Sequence, residues 1–246
     1  KIIKAPTAIE KMEIEKAEET IFEPNMELYE KICTINNKKY IFENETKLAT
    51  KISVSKLIKT QEEKLFSKEP MFASRDKATS AQKGLAFHSF MLYANHENAA
   101  KNIEEEKSRL IIQEFMTRED VALLNNDDIF ELYNSELFSR MKKSSFLKRE
   151  MRFMAQLSGK ELEGLLDIGD NEEIVVQGIS DIVFEEGEKL IIADYKTDNV
   201  KTADELVERY KNQLDIYEKI LSKVTQKSEF EKIIYSVKLR KEIVIL

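Results

Sequence analysis

The chain is 246 residues long, 42% hydrophobic and 35% charged, enough apolar material for one large core or two small ones and too much for a disordered segment. Lys and Arg number 39 against 46 Asp and Glu, a net charge of -7, so no global basic field marks a nucleic-acid binder and any DNA contact has to be local. The lone Cys33 rules out an internal disulfide, a cysteine-rich zinc site and a cysteine-held iron–sulfur cluster, and no run reaches the roughly 20 apolar residues of a membrane span.

These features predict a soluble, cytoplasmic protein without a membrane partner. The first residue is Lys1, which fits a domain cut from a longer protein. Punctuation is uneven: all three prolines lie before residue 71, and five of the six glycines fall between Gly159 and Gly187. Residues 1–52 are expected to form a connecting arm, helical and charged over 8–32 and irregular over 36–52. Residues 53–143 form a helical part, opening with a helix at Ser53 or Ser55. Apolar spacing from Ser80 to Met116, carried by Leu85, Phe90, Met91, Ile103, Leu110, Ile111 and Phe115, predicts two long helices or one interrupted helix. A further helix follows Asp127, with Phe130, Leu137, Phe138 and Met141 facing inward.

The character changes at Ser144, and residues 144–246 read as an α/β core. A strand containing Phe146, Leu147, Met151, Phe153 and Leu157 comes first. The β-branched runs 173–185 and 189–197, separated by Glu186 and Gly187, then predict a hairpin. Thr202 and Glu205 have capping-box spacing and open a helix to about Val224. Strands near 230–238 and 242–246 close the chain.

The hairpin concentrates the chemistry. A two-residue Glu186-Gly187 turn pairs Asp181 with Ile192 and Ile179 with Asp194, so that Asp181, Asp194 and Lys196 share a face with Val175, Ile179, Val183, Leu190 and Ile192. Asp181 and Asp194 are then diagonal neighbours with Cβ atoms about 7 Å apart, close enough to share an oxygen-seeking cation such as Mg²⁺. Carboxylates on an otherwise buried face need a metal, a pairing lysine or a water-filled cleft. A salt bridge at the hairpin rim is the plain alternative. Gln213 and Tyr217, one turn apart, share a helix face with Tyr210 and Leu214 and also suit packing on a sheet. Taken alone, His88 reads as core packing or a helix-surface residue more often than as a ligand, and His96 as structural only.

Taken together, Gly84-Leu85-Ala86-Phe87-His88, Glu150, Gln177-Gly178-Ile179-Ser180-Asp181, Asp194-Tyr195-Lys196-Thr197-Asp198 and Tyr210-Lys211-Asn212-Gln213-Leu214-Asp215-Ile216-Tyr217 resemble the RecB-type nuclease domain of the PD-(D/E)XK superfamily. The AddA-type helicase–nucleases are the nearest likeness, which covers about residues 48–246. The resemblance implies a mixed central β-sheet flanked by helices, with an added N-terminal helical region, and Mg²⁺- or Mn²⁺-dependent cleavage of single-stranded DNA in double-strand break repair and recombination. It implies metal binding by His88, Asp181, Asp194 and the Tyr195 carbonyl, a catalytic Lys196, and Gln213 with Tyr217 along the DNA strand. Glu150 corresponds to an acidic residue on the first core strand. Leu85 departs from the small hydroxyl residue found in many relatives.

The chain lacks a G-x-x-x-x-G-K-[ST] loop, so a motor would belong to a helicase part of the parent protein, working with an AddB subunit. Lys142, Lys143, Lys148, Arg149, Arg152 and Arg209 are candidate DNA cations, and Tyr210 and Tyr217 candidate base-stacking rings. A stand-alone RecB-type exonuclease and a catalytically silent DNA-binding module of the same fold are the alternatives.

Overall fold

The computed structural model describes residues 25–37, 50–58, 75–166, 168–170 and 172–246, in two compact units, Lys1–Leu48 and Ala49–Leu246. In the first, helix α1 (Met26–Asn36) begins where the Asn25 side chain accepts from the Leu28 N–H at 3.0 Å. The helix expected over 8–32 therefore extends past residue 32, while its part before residue 25 lies outside the described residues. Most of the irregular arm lies outside them too, but its last residues, Lys51 and Ile52, belong to a strand.

That strand, β1 (Lys51–Ser53), opens the second unit. Ser53 caps the helix that follows it, α2 (54–58), by accepting from the Lys56 N–H. The stretch expected as one or two long helices is three: α3 (Arg75–Tyr93), α4 (His96–Lys101) and α5 (Ile103–Ile112). The breaks come from Asn95 and Asn102, whose side chains accept the first free N–H groups of α4 and α5 and so end the preceding helix without Gly or Pro. Thr117, Asn125 and Ser135 likewise open α6 (Arg118–Ala122), α7 (Asn126–Tyr133) and α8 (Glu136–Lys143). Phe90, Met91, Leu110, Leu137, Phe138 and Met141 are buried as expected. Leu85 of α3, Phe115 in the bend after α5 and Phe130 of α7 instead face solvent.

β2 (Leu147–Ser158), β3 (Glu173–Glu186), β4 (Lys189–Lys196), α9 (Ala203–Thr225), β5 (Phe230–Ser236) and β6 (Lys241–Ile245) complete the chain. The mixed sheet runs β1-β3-β4-β5-β6, with β2 on the other edge of β3. α9 covers one face through Leu206, Leu214, Ile216, Tyr217, Ile220 and Leu221, against Val183, Leu190 and Ile192. Phe87, Phe90 and Met91 of α3, with α7 and α8, cover the other, against Ile182, Phe184, Ile191, Ala193 and Tyr195. This is the sheet between helical layers that the motifs implied.

One edge of β3 changes partner along its length. β1 runs parallel to Val175–Gln177, and β4 runs antiparallel to Ile182–Glu186. Residues 178–181 pair with neither strand, and this gap opens the sheet between its two helical layers.

Candidate active site

The hairpin turn lies one residue later than the sequence suggested. Glu186 pairs with Lys189 and Val183 with Ile192, so the turn is Gly187-Glu188, with Gly187 at φ +62°, where a Cβ would strain the backbone. Asp181 therefore does not face Ile192, nor Ile179 Asp194. Asp181 and Asp194 stand next in line after the last ladder pair, Ile182↔Ala193. Because the register moved by two, parity survives, and Asp194 and Lys196 share the α9 face with Leu190 and Ile192.

Asp181 sits where simple alternation fails. Ile174 and Val176 face α9, yet so does Val183, so β3 must switch faces between them. β2 switches at the same level: Leu147 packs on the α3 side while Phe153 and Leu157 pack under α9. Pairing continues from Arg149↔Ile182 to Met151↔Ser180 without an inserted residue. The switch in β2 coincides with Glu150, whose φ of +43° is a strained conformation costing on the order of 1–3 kcal/mol. The expectation that Val175 and Ile179 share the face of Asp181 fails for this reason, and Ile179 is 47% exposed.

In the gap, the Asp181 carboxylate replaces a ladder acceptor. Its Oδ2 accepts from the Tyr195 N–H at 2.7 Å, and its Oδ1 lies 3.1 Å from His88 Nδ1 on α3. Burial alone would lower the His88 imidazole, but the bond and charge of Asp181, aided by Asp194, outweigh it and hold the group above its ordinary value. Glu150, His88, Met91, Leu92, Asp181 and Tyr195 line a cavity of about 10 Å³ beside it, room for a single water-sized guest.

Asp194 is 3% exposed. Burial, then the nearby charge of Asp181, push its carboxyl up, against the pull of Lys196. Lys196 Nζ lies 2.6 Å from Asp194 Oδ2 and 4.0 Å from the centre of the Tyr210 ring, and donates to Gln213 Oε1 at 3.5 Å. Gln213 Nε2 donates to the Tyr217 hydroxyl at 2.7 Å, which donates to the Ile179 carbonyl at 2.7 Å. The relay ties the amine to the gap in β3. Tyr217 is only 2% exposed and packs edge-on against Phe153 at 5.0 Å, so its ring has no face open to a base. A Cβ on Gly178 would lie 2.4 Å from Phe153 and 2.8 Å from Tyr217, which explains the glycine. Tyr210 is committed as well: its ring lies under Lys196 and its hydroxyl donates to Asp198 at 3.0 Å.

Arg149, expected as a DNA cation, points inward. Its Nη1 donates to the carbonyls of Met91, Leu92 and Ala94 at 3.2, 2.8 and 2.7 Å, and Arg109 donates to that of Tyr93 at 3.1 Å. Two arginines thus satisfy the C-terminal carbonyls of the helix that carries His88. Nothing in the sequence pattern marked this role. Arg209 pairs with Asp198 at 3.5 Å, while Lys142, Lys143, Lys148 and Arg152 are exposed.

Among the described residues no group of three or more His, Cys, Asp or Glu side chains stands arranged around a common point, since Asp194 is turned to Lys196 and Asp181 to His88 and Tyr195. The donor set nevertheless suits a hard divalent ion. Two carboxylates, one buried and raised by the other, gain from a cation between them, and an imidazole nitrogen lies alongside.

Residues 60–243 match the PD-(D/E)XK nuclease superfamily, and the chain belongs to it. Its relatives include proteins named as ATP-dependent helicase/nuclease subunits of the A type. One, from Clostridium botulinum strain Loch Maree, is 35% identical over 225 residues, 85% of this chain and 17% of that protein. Another, from Clostridium botulinum strain 657, is 34% identical, covering 90% and 19%, and one from Clostridium kluyveri is 32% identical, covering 86% and 18%. The chain spans less than a fifth of the length of these relatives.

Proposed function

We propose that the chain is the nuclease domain of an AddA-type helicase–nuclease, hydrolysing phosphodiester bonds of single-stranded DNA during double-strand break repair and recombination in the cytoplasm. The partners this reading requires are a helicase part and an AddB subunit. One observation carries it: Asp181 and Asp194 stand next in line after the last β3–β4 ladder pair, with the Lys196 ammonium 2.6 Å from Asp194. Asp181, Asp194, His88 and the Tyr195 carbonyl are the groups that would hold Mg²⁺ or Mn²⁺, which supplies charge neutralisation at the phosphate and acidifies water for attack.

The protein's own part is positioning. Lys196 is a compact point charge with three donors, aimed by Asp194, Gln213 and the Tyr210 face, and it stabilises negative charge growing on the phosphate. Gln213 and Tyr217 act through Lys196 as positioning residues. Asp181 and Arg149 fix His88 and its helix.

Incubating the chain with labelled single-stranded DNA and Mg²⁺ tests the reading. Lys196→Ala should lower cleavage by about 10²-fold or more with an unchanged circular dichroism spectrum. Cleavage at the parental rate would remove Lys196 from the mechanism, and no cleavage by the parental chain with either ion would favour a silent scaffold.

A further inference from the structure

A crevice outside the carboxyl ends of β4 and β5 is used by nothing described so far. The two strands run parallel there, Lys196 beside Ser236, and the carboxyl ends of parallel strands are where open α/β sheets bind ligands. The crevice has a volume of about 220 Å³, somewhat below the usual range of small-molecule pockets. Phe87, Leu124 and Val237 give it an apolar floor, and Thr197 and Ser80 bring hydroxyls. Lys83 and Lys238 stand at its walls with no ion pair or hydrogen bond among the described residues. Asp128, the acidic residue in the lining, is spent on Arg240 at 3.1 Å.

The crevice is tied to the candidate active site at two points. Thr197 follows Lys196 directly, and it packs so closely on α3 that a Cβ at Gly84, one turn before His88, would lie 2.6 Å from its Oγ1. The Lys196 carbonyl accepts from the Val237 N–H at 2.9 Å, which anchors the turn bearing Lys238. In a chain of net charge -7, two unpaired ammoniums around an apolar floor make a local site for a group that is anionic at one end and flat or apolar at the other.

We infer that this crevice binds a nucleoside phosphate, namely one nucleotide of the substrate strand beside the cleavage point, with its phosphate between Lys83 and Lys238 and its sugar or base on the partly exposed Leu123 and Leu124. The inference rests on the nuclease reading for the identity of the strand, but its test needs no cleavage. Both lysines are exposed, so their removal leaves the core intact.

The experiment measures binding of a fluorescent single-stranded oligonucleotide to the 246-residue chain by anisotropy, in EDTA, across a salt series. Lys83→Ala/Lys238→Ala should weaken binding about tenfold at low salt and flatten the plot of log affinity against log salt by about 0.7 for each phosphate contact removed. Lys160→Ala is the control. Lys160 lies past the far end of β2, beyond Ser158↔Glu173, which is eight residues or about 26 Å along the strand from Asp181, and its removal should change neither quantity. A parallel titration with a deoxynucleoside monophosphate separates the two sources of this ligand. Lysine-dependent binding of the monophosphate assigns the crevice to a released product, and dependence seen only with the oligonucleotide assigns it to the intact strand. Unchanged affinity and salt slope in the double variant would overturn the inference, even if Lys196→Ala abolishes cleavage. Loss of affinity in the double variant, with no cleavage by the parental chain, would keep the crevice and sink the nuclease.

Discussion

Arg149→Met removes the guanidinium that holds the C-terminal end of α3. The side chain is half-buried, and one nitrogen serves three carbonyls at 3.2, 2.8 and 2.7 Å. A nitrogen with two hydrogens makes two full bonds at most, and charge-assisted bonds contribute roughly 1.5–3 kcal/mol each. Together they place the loss at about 3–5 kcal/mol, a large part of a typical stability of roughly 5–15 kcal/mol. In urea denaturation followed by circular dichroism, the midpoint should fall by about 1–2 M with little change in slope. Arg149→Lys should recover only part of the loss, because a point charge cannot reach all three acceptors. A change below about 1 kcal/mol in Arg149→Met, or full recovery in Arg149→Lys, would refute the capping argument and with it the account of how α3 presents His88.

Two further outcomes follow from packing and burial. Gly178→Ala forces a methyl group to within 2.4 Å of Phe153 and 2.8 Å of Tyr217, and should cost roughly 1–3 kcal/mol in the same denaturation assay while loosening the Tyr217–Gln213–Lys196 relay; a neutral result would mean that the two rings move freely. His96 sits against Tyr133 and Phe138, and burial, then the charge of Arg149, lower its pKa to about 4. A histidine depressed from 6.5 in the folded state lends stability that is full above pH 6.5 and is lost as the pH falls toward 4, about 3 kcal/mol in all. The parental chain should therefore lose stability relative to His96→Phe as the pH falls from 7 to 4, and a constant difference between them over that range would contradict that sign.

Much of the core was readable from the chain. β-Branched runs around Gly187 identified the hairpin, Thr202 and Glu205 opened α9 where expected, and the parity of Asp194 and Lys196 survived an error of two residues in register because side chains alternate with period two. The missed features depend on distant partners. The face switch at Glu150 and Asp181 is a coordinated twist of two strands that no single run of residues reveals, and the three-residue β1 is too short to carry periodicity. Arg149 looked like a surface cation because its acceptors are backbone carbonyls, which leave no mark in side-chain patterns. Tyr217 carried a motif suited to DNA, yet it is buried and bonded to Gln213 and the Ile179 carbonyl. Asn95 and Asn102 were legible as caps in principle, but the continuous apolar spacing around them masked the breaks.

On the proposed reading, Asp181, Asp194 and His88 at the gap in β3 hold a divalent ion. Crystals of the chain soaked in Mn²⁺ test it most directly through the anomalous difference map. A peak is expected between Asp181, Asp194 and His88, with Lys196 turned away from Asp194 toward the space a phosphate would take. A map with no peak there, or with Mn²⁺ bound only at surface carboxylates, would contradict it.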